Sequence, residues 1–190
     1  MKSLVAVVIF ALAGCGYRLA GEGAVPEGTS TIGIRLFNNH TREVGLEVRL
    51  QRAIEDEFRR RGPLRVVDED AADVVLSGDI RRFTNVPVAF SATDEAVQYQ
   101  GVMQVGVRLL DRRTKQVVRQ IDALQVSQDF GAVSGTVVAT SPHFQRGTLD
   151  AVDLPNLTNV QLGLTRRREA IIDLVDQMAH DVYTHAMEGF

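Results

Sequence analysis

The residue types best placed for chemistry lie at two points of the 190-residue chain: a lone thiol near the start and a group of cations past the middle. Cys15 closes the run Leu12-Ala13-Gly14-Cys15, which follows the charged start Met1-Lys2 and an unbroken apolar stretch from Leu4 to Ala13. A basic start, about 7 to 15 apolar residues and small residues at the cut make a secretory signal. About ten apolar residues are too few for a membrane-spanning helix, which needs about 20. Ala13 and Gly14 fit a narrow protease site, and a thiol is the side chain that takes a diacylglyceryl group as a thioether. The expectation is therefore a signal peptide over residues 1–14 and a triacylated N-terminus at Cys15.

The cations cluster at Asp111-Arg112-Arg113-Thr114-Lys115, which reads as a hairpin turn, with Arg108 and Arg119 on the flanking strands. Guanidinium forks bind phosphate bidentately, so Arg108, Arg112, Arg113, Lys115 and Arg119 are candidate contacts for a phosphate or an anionic sugar. The ordinary alternative is a solvated hairpin end. Other constellations carry less. The acidic run from Asp68 to Asp73 lacks the turn glycine of a calcium loop and reads as a solvated connection. Asp173, Asp176 and His180 share a helix face, but no second motif converges on them. No glycine cluster joins a strand to a helix, and Ser134-Gly135 lacks the G-x-S-x-G frame. No catalytic residue, metal site or cofactor is expected, and the chain reads as a non-enzyme.

Composition bounds the rest. After processing, about 175 residues remain, enough for one core and too few to expect two. With 21 basic and 24 acidic residues the net charge is −3, which gives no overall bias toward nucleic acid or an anionic surface. Cys15 is the one cysteine, so neither disulfides nor thiolate metal sites can stabilise the domain.

The elements that must position these residues follow from periodicity. Residues 15–29 hold glycines, a proline and few apolar groups, an acylated N-terminus on a flexible tether ahead of one domain over 30–190. From Thr31 to Phe37, Ile32, Ile34 and Leu36 alternate with Thr31, Gly33 and Arg35, a half-buried strand. Asn38 to Thr41 supplies turn and cap chemistry. Leu46, Leu50, Ala53, Ile54 and Phe58 then fall on one helical face, and Gly62-Pro63 ends the helix. Leu64 to Val67 is a short strand. Another runs from Val74 toward Phe83, with Gly78 marking a bulge or close backbone approach. Regular pattern is lost from Thr84 to Ala96 around Pro87, exposing Val86, Val88 and Phe90. Met103, Val105, Val107 and Leu109 face inward on the next strand. Gln116 to Phe130 completes a meander, with a bulge near Ala123-Leu124. Gly131 to Gly163 is long, poor in charge and aperiodic, yet carries Val137, Val138, Phe144, Leu154 and Leu157. Leu164 to Met187 is a second amphipathic helix. Two amphipathic helices need a sheet to cover, so the expected architecture is α+β: a two-layer sandwich with both helices on one face of a mixed four-stranded sheet.

Cys15-Gly16-Tyr17-Arg18-Leu19, Ile32-Gly33-Ile34-Arg35-Leu36-Phe37-Asn38-Asn39, Val75-Leu76-Ser77-Gly78, Tyr99-Gln100 and Val107 to Thr114, in this order, resemble the lipopolysaccharide assembly lipoprotein family LptE. The resemblance implies two helices on a four-stranded sheet and a non-catalytic protein that plugs the outer-membrane barrel LptD, supports its assembly and helps deliver lipopolysaccharide. It implies a lipid-anchored chain on the periplasmic side of the cell outer membrane, with no nucleic acid as partner. The cations above become candidates for lipopolysaccharide. Val86, Val88, Phe90, Val137, Val138, Phe144, Leu154 and Leu157 become candidates for partner contact. The segment 131–163 departs from the family, which passes quickly from the last strand to the last helix. The motifs also resemble outer-membrane lipoproteins that activate penicillin-binding proteins or line secretion pores, the alternative reading.

Overall fold

The β-branched alternation after Ser30 forms strand β1 (Thr31–Ile34), and the change to helical period forms α1 (Leu46–Arg61). The computed structural model describes residues 25–26, 28–92, 94, 96–131 and 154–187, with side chains described in the last stretch for 162 and from 164 onward. Between β1 and α1 lies β2 (Asn38–Asn39). After α1 come β3 (Arg65–Val66), a 3₁₀ turn (Glu69–Ala71), β4 (Val74–Phe90), β5 (Ala96–Asp111), β6 (Val117–Gly131) and α2 (Leu154–Met187). The sheet is mixed, in the order β3-β1-β4-β5-β6, with β2 beside β4. It has six strands where four were expected, because the two-residue strands β2 and β3 each pair parallel to a longer neighbour. β1 is parallel to both β3 and β4, while β4, β5 and β6 form the expected antiparallel meander.

Both helices lie over this sheet, α1 against β1 and β3, α2 against β5 and β6, and they pack on each other. Leu46, Leu50, Ile54 and Phe58 of α1 meet Ile32, Leu76, Ile80, Met103, Val105 and Leu109 of the sheet and Leu174, Met178 and Val182 of α2, all buried. Burying one such side chain contributes about 1.5–3 kcal/mol. The Phe58 and Tyr183 rings meet edge to face at 5.0 Å, and the Tyr183 hydroxyl donates to the Arg61 carbonyl at 3.0 Å, satisfying one orphan acceptor at the end of α1. Gly45, at φ 80°, starts α1 without a side-chain cap. Asn39 acts nearby instead, donating to the Glu43 carbonyl and to Glu47 in the first turn.

Two elements run further than their sequence pattern. β4 continues through Pro87 to Phe90, where an irregular stretch was expected. Beyond Ile80 its outer side has no strand partner among the described residues, so the missing N–H of Pro87 removes no ladder bond on that side. α2 begins at Leu154, ten residues ahead of the expected start, so residues 154–163 are helical. Pro155 falls in the first turn, where its absent N–H would be unpaired anyway. Gly78 marks a close approach, not a bulge. A Cβ there would stand 2.3 Å from the Gly106 carbonyl oxygen and 2.4 Å from Cε1 of Phe37. The register shifts of β4 against β5 lie instead at Ile80/Arg82, Pro87/Ala89 and Ala89/Phe90.

One carboxylate ties the domain's entry point to its sheet. Oδ2 of Asp73 accepts from the N–H groups of Ser30 and Thr31 at 2.9 and 3.0 Å, and from the hydroxyls of Thr31 and Ser30 at 2.8 and 3.2 Å. The Ser30 N–H first, then the Thr31 hydroxyl and N–H, lower its pKa from 3.8 to about 2. A folded value below the unfolded one stabilises the fold fully above the unfolded value and is lost as pH falls through the folded one. The window is therefore from about pH 4 down to about pH 2. Asp73→Asn should melt lower at neutral pH and lose less stability than the parent across that window. Parallel stability-versus-pH curves for the two proteins would show that the clamp does not form.

Candidate functional site

The cationic hairpin is built by Asp111, whose Oδ1 accepts from the N–H of Arg113 at 2.8 Å and of Thr114 at 3.0 Å. The Thr114 N–H, then that of Arg113, holds this carboxyl below its usual range. Lys115 completes the turn at φ 60°. The five predicted cations do not converge. Arg119 donates to the His185 carbonyl at 2.6 Å, closing the last turn of α2 on the helix side of the sheet. Arg108 points to the opposite face and meets Asp79 at 3.4 Å. Arg112 donates to the carbonyls of Asp70 and Ala72, holding the hairpin to the 3₁₀ turn. Arg108 is exposed on its own face, and Arg113 and Lys115 are exposed at the tip. A cleft of about 350 Å³ opens beside them, lined by Thr29, Asp73, Asp111, Arg112 and Arg113.

Exposed apolar groups gather at the other end. Val86, Val88 and Phe90 are 43%, 46% and 58% exposed, in strand and not in a loop. Val97 lies across the β4–β5 turn and is also exposed. Behind them Tyr99 and Phe130 stack at 5.8 Å on the helix side. α2 reaches this end antiparallel to α1: Tyr183 meets the end of α1, and Arg167 meets Glu43 ahead of its start at 2.5 Å. Arg166 approaches Gly131, the last described residue of β6. The dozen residues from Leu154 to Thr165 thus run on past the start of α1, roughly 18 Å of helix. Leu162 and Leu164 are exposed on this extension, beside exposed Arg166 and Arg168. Exposed apolar groups and exposed guanidinium groups thus stand at one end of the domain, the β4 residues on the sheet and the others on α2, and together they suit an apolar body that carries anionic groups.

Cys15, Val137, Val138 and Phe144, and the side chains of Leu154 and Leu157, lie outside the described residues. Val97, Leu162, Leu164 and Arg166 escaped the sequence reading. The signal was present in Arg166-Arg167-Arg168 beside the leucines, but without the antiparallel placement of α2 nothing brings them to the end of the domain that carries Phe90. Asp173 and Asp176 are exposed, and Nδ1 of His180 is buried without a hydrogen-bond partner among the described residues. Among those residues no helix is long and apolar enough to cross a membrane, and no group of three His, Cys, Asp or Glu side chains is placed to hold a metal ion.

A profile of the family described as "LptE: Lipopolysaccharide-assembly" matches residues 29–186. Among solved structures, a protein from Xanthomonas campestris is similar at a TM-score of 0.50 and 13% identity, over 90% of this chain and 92% of its own. Lipoprotein B from Nitrosomonas europaea gives 0.46 and 13%, over 89% and 91%. Rare lipoprotein B from Shewanella oneidensis gives 0.37 and 13%, over 80% and 98%. At these identities the Xanthomonas likeness is one of fold alone. No curated protein matches the sequence.

Proposed function

The chain belongs to the LptE lipopolysaccharide-assembly family, and from that premise we propose that it is a non-catalytic outer-membrane lipoprotein that binds and plugs an LptD-type barrel. In this role it supports assembly of the barrel and helps deliver lipopolysaccharide to the outer leaflet, anchored through Cys15 on the periplasmic side. The observation that carries the reading is the end formed by Val86, Val88, Phe90, Leu162 and Leu164 with Arg166 and Arg168 at its edge. Exposed apolar surface of this kind marks an interaction site. A barrel wall would cover the apolar part, and the cations suit the phosphates of lipopolysaccharide.

Affinity capture of the tagged protein from detergent-solubilised membranes tests it. The expected companion is a barrel protein of the LptD type. Recovery of a peptidoglycan synthase or a secretion pore would move the assignment to the alternative class. Phe90→Ser together with Leu164→Ser should sharply reduce barrel recovery while leaving the melting temperature almost unchanged, since exposed substitutions usually fall within about ±0.5 kcal/mol. Full barrel recovery by the double variant would remove this end from the interface.

A further inference from the structure

The face of the sheet turned away from both helices loses register twice at one level. β4 bulges between Ile80 and Arg82, and the β5–β6 pairing skips between Val105 and Val107. Gly106 lies between the two irregularities, and a Cβ there would stand 2.8 Å from Nη2 of Arg81 and 3.0 Å from its Cζ and Nε. The Arg81 guanidinium therefore rests on bare backbone where another residue would carry a side chain. It makes no ion pair among the described residues. Around it opens a small cleft of about 110 Å³, lined by Asp79, Arg81, Gly106, Arg108, Gln120 and Asp122 among others.

We propose that this cleft is a binding site for an acidic sugar, with Arg81 receiving the acidic group and the carboxylates of Asp122 and Asp79 receiving ring hydroxyls. The balance of charges selects that ligand class. A simple anion would meet Arg81 and Arg108 but also two carboxylates. A neutral sugar would leave the fork of Arg81 unmatched. A hydroxylated ring with one acidic group uses both halves of the lining. Asp122 accepts from Gln120 at 2.8 Å through Oδ1, which leaves Oδ2 for a ligand. Asp79 is held ionised by the Asn38 amide first and then by Arg108 and His40, so it acts as acceptor. The two bulges do the placing, since bulges re-aim side chains out of the ordinary alternation. The site stands apart from the apolar end and does not depend on the barrel reading.

The test is a titration of the purified lipoprotein in detergent micelles, read through its backbone amide resonances, with glucuronate, glucose and inorganic phosphate as separate probes. Glucuronate should move the amides of Gly106, Arg108 and Asp122, and glucose should do so about tenfold more weakly, in line with the loss of one charge-assisted pair. Arg81→Gln should abolish the glucuronate response. The three atoms nearest a Cβ at Gly106 all belong to the flexible end of Arg81, so Gly106→Ala should keep the fold and weaken the response by displacing the guanidinium. Silence of those amides toward glucuronate, an equal response to phosphate, or an unchanged response in Arg81→Gln would overturn the proposal. The barrel capture is a separate measurement, so either reading can fail without touching the other.

Discussion

Gly78→Ala should lower the melting temperature by roughly 6–12 °C, taking about 3 kcal/mol at about 2–4 °C per kcal/mol for a domain of this size. The magnitude comes from what the new methyl group would meet. The Gly106 carbonyl oxygen at 2.3 Å belongs to the backbone of β5 and cannot rotate away, and the Phe37 ring at 2.4 Å is itself buried. Overpacking of a core site usually costs about 1–3 kcal/mol, and a clash with a paired strand belongs at the upper end. Such a loss is a large share of a stability of about 5–15 kcal/mol. Phe37→Ala in the same chain removes the ring and leaves the carbonyl, so it should not restore the parent's stability. Thermal melting of the parent and the two variants decides the matter. A Gly78→Ala protein that melts with the parent would mean that β4 and β5 separate without penalty, against the close approach described here.

The largest functional effect should come from Cys15→Ala. The buried core is built from Thr31 onward, with Val25 partly buried against it, so the variant should fold and melt like the parent. It should carry no lipid and fractionate with soluble periplasmic protein. One acyl chain holds a protein to a membrane only marginally, and each buried CH₂ adds about 0.8 kcal/mol, so three chains make attachment stable. Metabolic labelling with a fatty acid measures this directly. Label retained on the alanine variant would sink the processing-site reading, along with the periplasmic placement that follows from it.

Much of the fold could be read along the chain because its best elements have one clean period. Leu46, Leu50, Ile54 and Phe58 name the buried face of α1, and Met103, Val105, Val107 and Leu109 name that of β5. The expected slip at Ala123-Leu124 is a true irregularity, where Leu124 opposes Val105 and Ile121 opposes Val107. The misses have a common physical source. Whether Pro87 breaks a strand depends on whether that edge is needed for pairing, which is a property of the neighbours. Where α2 starts depends on tertiary context, because residues 154–163 lack a sustained apolar stripe. The cations fail for a related reason. Arg108 opposes Gln120 while Arg119 opposes Leu109, so the two lie on opposite faces of the sheet. Sequence spacing gathers them at one hairpin, and register then separates them. Arg81 was passed over because two successive arginines in a strand look like a solvated edge until the bulge and Gly106 are seen together.

The Asp73 clamp has a mechanical meaning. Tension arriving through the residues ahead of Val25 would enter the domain at Ser30 and Thr31, at the start of a strand flanked on both sides. Since β1 runs parallel to β3 and β4, a pull along its axis strains bonds such as Arg65 N–H to the Ser30 carbonyl and Arg35 N–H to the Leu76 carbonyl together, in shear. They would not peel away one by one. Four donors converging on one carboxylate oxygen stand at the point where that load is first felt. A chain moored at one end to a bilayer and seated at the other in a partner would be stretched between them, and its rupture would be governed by the rate of unfolding under force. Loss of the Asp73 carboxylate should then weaken the domain more under extension than in a melting experiment, because heat distributes its stress over the whole core while a tether delivers it to one strand.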